Sequence, residues 1–258
     1  MIPWRDRLIT LFHRRGWRGA TWLHHRLAGG RRIMARALNG VVLQVDPGEY
    51  VDRFVLREGY YESEVLDALL SALPIEGVLW DIGGNLGLHS ISIALALPKS
   101  SVVVFEPNPE MVALINAHAK MNLVQVSIID QALDELEGDA ELHLYQGNAG
   151  RGSLQNHTGS RASRKVAVRT TTGDSVIAAG LAPAPDVVKI DVEGAEERVL
   201  RGMREVLLSE RLKAVVFEDA PGEKTSVKEL LRSTGFKLKQ LVRREQTQHP
   251  LCNFLATK

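Results

Sequence analysis

The chain has 258 residues, 45% of them hydrophobic, enough to bury one full core plus a small extension. A net charge of +1 argues against holding polyanions by bulk charge, and the single cysteine, Cys252, excludes an internal disulfide framework and a cysteine-based metal site. No run approaches the ~18 consecutive apolar residues that span a bilayer, and no uninterrupted apolar stretch marks a secretory signal, so the expected location is the reducing cytoplasm.

Residues 1–40 differ in kind from the rest. Arg5, Arg7, Arg14, Arg15, Arg18, Arg26, Arg31, Arg32 and Arg36 face one acid, Asp6. Trp4, Leu8, Ile9 and Phe12 fall at helical spacing, and Trp17, Trp22, Leu23 and Leu27 form a second stripe, with Gly16 and Gly29-Gly30 as breaks. This predicts an Arg-rich helical extension over 1–40 and a catalytic-type domain over 41–258. The extension either packs on that domain or a second subunit with its arginines solvated, or meets an anionic membrane or lipid-linked substrate. Nucleic acid is the weakest of the three readings.

Val41 to Val45 and Arg53 to Leu56 read as short strands, and Tyr60-Tyr61-Glu62-Ser63-Glu64 leads into a helix ending near Leu73. Next comes Val78-Leu79-Trp80-Asp81-Ile82-Gly83-Gly84-Asn85-Leu86-Gly87-Leu88-His89: an apolar run, an acid, three glycines, then apolar periodicity to Leu97, stopped by Pro98. The pattern is strand, tight loop, helix, with glycines for positive φ and for close approach of a ligand to the main chain. The dinucleotide fingerprint fails at Asn85, and a Walker loop fails because no Gly-Lys-Ser/Thr follows. Asp81 at the strand end would repel phosphate but suits the ammonium or sulfonium of S-adenosylmethionine. Ser101 to Phe105 is a second strand, ending at Glu106, where doubly wound folds place an acid on ribose hydroxyls. Asn108 can cap the following helix, with Pro109 at its first position.

Further on, Met111 to Met121 reads as a helix, Val124 to Ile129 as a third parallel strand, and Ala140 to Tyr145 as an added strand. Gln146 to Ser163 is a polar, Gly-rich stretch too long for an ordinary connector. Such loops close over sites, and Asn148, Arg151, Ser153 and His157 are candidates to reach a substrate there. After a strand at Val166 to Thr170 and a helix at Asp174 to Ala179, the run Asp186 to Ile190 is a buried strand delivering Asp191 to the carboxyl edge of the sheet. A helix over Ala195 to Leu208 and a strand over Lys213 to Phe217 bring Glu218 and Asp219 to the same edge. Val227 to Ser233 is a helix, and Phe236 to Val242 with Leu251 to Ala256 a closing antiparallel hairpin, His249 lying in its turn.

Three blocks, Asp81 to Gly87, Phe105-Glu106-Pro107-Asn108-Pro109 and Val188-Lys189-Ile190-Asp191-Val192-Glu193-Gly194-Ala195-Glu196, resemble the FkbM family of S-adenosylmethionine-dependent methyltransferases, over about Val41 to Lys258. The resemblance implies an α/β class I methyltransferase fold: a mostly parallel seven-stranded, Rossmann-like sheet with helices on both faces. It also implies O-methylation of a hydroxyl on a sugar, glycan, lipid or secondary metabolite. Cofactor contacts are expected at Asp81, Gly83, Asn85, Gly87, Glu106 and Asp191. In this fold the third strand end frames adenine, which makes Asp130 the candidate there and Gln131 the alternate. Tyr61 and Glu62 are implied at the cofactor or substrate mouth. Gly84 stands where the family more often has Ala, and the Arg-rich N-terminus is a departure.

Asp191 is the first candidate to bind the acceptor or act as base, with Glu218 beside it and His89 facing substrate. An ordinary carboxylate, with a pKa near ~3.9, is a poor base for an alcohol unless burial or a neighbouring charge raises it. The alternative is a Mg²⁺ or Mn²⁺ site on Asp191, Glu218 and Asp219. That spacing resembles cation-dependent catechol-type methyltransferases, whose third ligand is usually Asn. Asn85 and Asp81 disfavour a nicotinamide-dependent oxidoreductase. A non-catalytic partner subunit that binds through its basic arm remains the competing reading. N-methylation is disfavoured because no Asn/Asp-Pro-Pro-Tyr/Phe motif stands at Asp191.

Overall fold

The computed structural model describes residues 2–145, 148–154, 164–222, 224–243 and 251–258, with the main chain alone at 148–151. Its centre is a seven-stranded sheet in the order β12-β13-β11-β10-β3-β4-β5. Here β3 is Val78–Ile82, β4 Ser101–Phe105, β5 Ser127–Ile129, β10 Val187–Ile190, β11 Ala214–Asp219, β12 Lys237–Gln240 and β13 Cys252–Thr257. All neighbours on the β5 side pair in parallel, and β13 alone runs antiparallel, between β11 and β12. This is the mostly parallel α/β sheet with a closing hairpin that the sequence predicts.

Alternation along the strands sorts side chains between two cores. Leu79, Val102, Val104, Val187, Ala214 and Val216 face one side, under helices α3 (Tyr50–Arg57), α4 (Ser63–Ala72), α5 (Leu88–Ala96) and α6 (Pro109–Asn122). Trp80, Phe105, Val188, Ile190, Val215 and Phe217 face the other, with α8 (Glu196–Arg201), α9 (Arg204–Leu208) and α10 (Ser226–Ser233). By the same parity Asp81, Lys189, Asp191 and Glu218 belong to the first side and Asp219 to the second.

Two readings change. The segment expected as a strand at Arg53 to Leu56 is helix α3: Tyr50 and Phe54 meet at i,i+4 with ring centroids 5.1 Å apart, and Val55 and Leu56 are buried. The helical period outweighs the β-propensity of Phe54 and Val55. The helix expected over Ala195 to Leu208 is two short helices, because Gly202 turns against the Asp134 carbonyl, where an added Cβ would lie 2.0 Å from the oxygen.

The N-terminal helices α1 (Trp4–Arg14) and α2 (Ala20–Ala28) pack through Ile9 and Ala28 into the core that also holds Leu43 and Val55. The hairpin of β1 (Ile33–Arg36) and β2 (Val42–Val45) straddles residue 40. Asp6, 3% exposed, accepts the Met34 N–H at 2.9 Å. A small second sheet, in the order β6-β9-β7-β8, is built from Ala132–Leu133, Arg164–Thr171, Gly138–Tyr145 and Asn148–Ser153. It turns part of the Gly-rich stretch expected as a loop into a hairpin beside the carboxyl edge. His157 and His249 lie outside the described residues.

Candidate active site

The order of the sheet reverses between β3 and its neighbours β10 and β4, and ligands of open α/β sheets bind outside the strand ends at such a point. A cleft lies there in two halves. One, about 840 Å³ with its open mouth, is lined by Tyr50, Tyr61, Glu62, His89, Asp191 and Glu218 among others. The second, about 620 Å³, is lined by Phe105, Glu106, Pro107, Leu133, Gly152 and Leu154 among others. Gly83, Asn85, Asp191 and Glu193 line both halves, so together they form one continuous groove.

The glycine loop is held by its own backbone. Gly83 and Gly84 donate to the Phe105 carbonyl at 2.9 and 3.2 Å, and Gly87, with φ +80°, opens α5. The absence of a side chain at Gly83 is demanded by packing: at φ +81° its Cβ would sit 1.9 Å from the Asp191 carbonyl oxygen. Gly84 is likewise closed off, by Val104. These glycines let the loop nest against β10 and β4 rather than clear space for a ligand. Gly83→Ala should therefore cost more than the ~1–3 kcal/mol of a left-handed non-glycine residue, read as a lowered thermal midpoint.

Glu106, buried at the end of β4, accepts from Asn85 N–H at 2.7 Å with one oxygen and from Asn108 N–H at 2.9 Å with the other. Burial raises its pKa to about 7 against the pull of those two N–H donors. Gly83 and Asn85 line the cleft, whereas Gly87 sits behind it at the helix cap.

Asp81 differs from the expected cationic-ligand contact. It is 1% exposed, does not line the cleft, accepts from Ser90 Oγ, and lies 3.2 Å from Lys189 Nζ. Lys189 is itself buried, 3.6 Å from Asp191, and donates to the Gly83 carbonyl at 3.3 Å. Burial draws its pKa down, but Asp81, Asp191 and Glu62 overcome that and hold the ammonium charged.

Asp191 faces the cleft with 35% of its side chain open. Its pKa is raised, by burial first and further by the Glu218 carboxylate, with Lys189 opposing. Glu218 sits beside it because β10 and β11 run in register, Ile190 opposite Phe217. Glu218 pairs with Arg243 at 3.3 Å rather than with Lys189. The same guanidinium lies 3.1 Å from Glu62, a residue with φ 53° that caps α4. Burial, then the Asp191 charge, push Glu62 up to about 8. His89 is buried, its Nε2 3.4 Å from the Glu62 carbonyl, and burial, with Lys189 nearby, lowers its pKa to about 4, so its imidazole is neutral. Tyr50, Phe54 and Tyr61 form a ring cluster beside these carboxylates, with centroids 5.1 to 6.1 Å apart.

Three expectations are corrected. Asp130 and Gln131 line a separate groove beyond Pro107, and Ala132 and Leu133 take the expected place beside Glu106. Asp219 does not join Asp191 and Glu218, because consecutive strand residues point to opposite faces. It accepts from Ala220 N–H at 2.7 Å and from Thr225 Oγ1, and lies 3.4 Å from Lys228. The expected Mg²⁺ or Mn²⁺ set on Asp191, Glu218 and Asp219 is thus not assembled, and among the described residues no group of three His, Cys, Asp or Glu suits a metal ion. Ser153, expected at substrate, donates instead to the Glu193 carbonyl at 2.9 Å and ties the β7–β8 hairpin to the site. The Asn148 side chain lies outside the described residues.

The family model described as the methyltransferase FkbM domain matches residues 81–238. The chain belongs to the FkbM methyltransferases. It is 27% identical over 188 residues to the hexuronic acid methyltransferase AglP of Haloferax volcanii, covering 73% of this chain and 75% of that protein. It is 24% identical to Methyltransferase 1 of Beauveria bassiana, over 65% of this chain and 75% of the other. Among solved structures, an FkbM methyltransferase from Methylobacillus flagellatus aligns with 98% of this chain and 59% of its own, at 12% identity and a TM-score of 0.52, which supports the fold.

Within this FkbM methyltransferase, sequence reasoning missed Tyr50, Arg243 and Asn253, whose Nδ2 bridges Glu62 and Glu64 at 3.1 and 3.0 Å. They come from opposite ends of the chain, and no local spacing joins them. Lys189 did leave a signal, since a lysine inside a strand covered on both faces needs a charged partner.

Proposed function

We propose that this FkbM methyltransferase takes its methyl group from S-adenosylmethionine and delivers it to a hydroxyl of a neutral, sugar-like acceptor. The observation that carries the reading is the chemical difference between the two halves of the groove. Around Glu106 the walls are apolar, from Phe105, Pro107, Leu133 and Leu154, which suits a flat base joined to a vicinal diol. A carboxylate offers about four acceptor positions, and Glu106 has committed one per oxygen to the main chain, leaving room for two hydroxyl donors. The other half carries Asp191, Glu193 and Glu218, with Glu62 largely protonated near neutrality, against Lys189 and the Arg243 guanidinium that pairs with Glu62 and Glu218, a small excess of negative charge that suits an ammonium and a sulfonium.

S-adenosylmethionine supplies a methyl group on sulfonium, already an activated leaving group. The protein has then to align the acceptor and take its proton. What supports Asp191 for the second task is its position on the groove beside Glu218 and its raised pKa, which answers the weakness of an ordinary carboxylate as base. Tyr50 and Tyr61 offer flat apolar surface to a ring, and Glu62 and Glu218 offer acceptors to its hydroxyls. The same acidic wall repels a carboxylate, so a neutral polyol fits it better than a uronic acid.

The test is calorimetric titration with S-adenosylmethionine and, separately, with NAD. Binding of the first alone supports the reading; binding of neither favours the non-catalytic partner subunit. Affinity should fall about tenfold between about pH 8 and about pH 6 as Glu106, titrating at about 7, loses its ionised form and gains a proton in place of an acceptor position. Glu106→Gln should weaken binding at the higher pH and flatten that dependence. An unaltered pH profile in the variant would remove Glu106 from the diol.

A further inference from the structure

The helical hairpin of α1 and α2 buries one stripe and leaves the opposite one bare. On α1 the residues facing the protein are Asp6, Ile9 and His13; on α2 they are Ala20, His24 and Ala28. Trp4 and Leu11 lie at i and i+7 on the far side of α1, 72% and 42% exposed, with the half-buried Leu8 between them at i+4. Trp22, 64% exposed, is likewise opposite the buried stripe of α2. These rings and aliphatic chains are unlike the single exposed apolar residues of an ordinary surface. Arg7 and Arg15 flank the first stripe and Arg26 follows Trp22 by one turn. The only acid of residues 1–40, Asp6, is buried against the Met34 N–H, so it adds no negative charge to this face.

We infer that this face is a docking surface for an anionic lipid bilayer. Tryptophan and leucine on one side of a helix, rimmed by arginine with no exposed acid within residues 1–40, match the interfacial zone, where rings sit at headgroup depth and guanidinium groups meet phosphate. A second copy of the chain is disfavoured by repulsion between two arginine-rimmed faces. Nucleic acid would use the arginines but would gain nothing from Leu8 and Leu11. Docking has a consequence for the groove: α1 packs against α3, and α3 supplies Tyr50 and Val51 to its mouth. A docked bilayer would therefore be linked to the groove through α1 and α3.

The experiment is sedimentation of the full chain with phosphatidylcholine vesicles and with vesicles containing about one-third phosphatidylglycerol, at low salt and at roughly 1 M salt. Tryptophan emission is followed in parallel; Trp80 is already buried, so a blue shift reports the N-terminal rings. Binding and a blue shift are expected only with the anionic vesicles, and lost in high salt. The triple variant Arg7→Ala, Arg15→Ala, Arg26→Ala should bind about a hundredfold more weakly. Trp4→Ser with Trp22→Ser should also weaken binding, with an unchanged circular dichroism spectrum. Equal binding to both vesicle types, no binding to either, or retention by duplex DNA in place of vesicles would overturn the proposal.

Discussion

Asp191→Asn is expected to lower turnover about 10²- to 10⁴-fold, the range of a positioned general base, while S-adenosylmethionine affinity changes far less. Among the described residues, Asp191 is the one carboxylate that lines both halves of the groove and also contacts the buried lysine. Asparagine keeps its size and can still meet Lys189, whose other partner, Asp81, is untouched. What the variant loses is the ability to accept a proton. In the parent, rate should rise with pH through a value above the ordinary carboxylate range, because burial and Glu218 both disfavour the ionised form. That limb should vanish in the variant. A variant that keeps its turnover would reduce Asp191 to a structural partner of Lys189 and shift attention to Glu62, whose pKa of about 8 makes it the next carboxylate able to move a proton near neutrality.

The parts of this site legible in the sequence are those set by strand ends and tight turns. Asp81 to Gly87 announces a strand, a loop and a helix because glycine and apolar periodicity are local signals, and Glu106 follows from the second strand of the same unit. Asp191 and Glu218 converge because parallel strands in register end together. The role of Asp81 was not legible, since it turns on Lys189, more than 100 residues away, entering the same face of the sheet. The pairing of Glu218 with Asp219 as joint ligands failed on a local rule, the alternation of strand side chains, that the spacing already contained. Glu62, Arg243 and Asn253 meet only after α4 and the closing hairpin pack together, and the positive φ of Glu62 has no glycine to advertise it.

Lys189→Met should destabilise the protein by about 3–5 kcal/mol, the cost of breaking a buried ion pair by removing one partner. Lys189 and Asp81 side chains are 5% and 1% exposed, so neither charge has water to fall back on. Methionine fills the space beside Val187 and Val216 on the same side of the sheet but leaves the Asp81 carboxylate with the Ser90 hydroxyl as its polar contact. Adding Asp81→Asn removes the stranded charge, so the double variant should recover much of the loss, giving a coupling energy well above the ~0.5 kcal/mol expected of independent sites. Urea unfolding of the four proteins in the cycle measures this. A single-variant loss under about 1 kcal/mol, typical of exposed pairs, would mean the pair is not structural. The lysine also donates to the Gly83 carbonyl, so the double variant, though refolded, should still bind S-adenosylmethionine more weakly than the parent. The ion pair beneath the loop thereby connects the stability of the sheet to the shape of the groove above it.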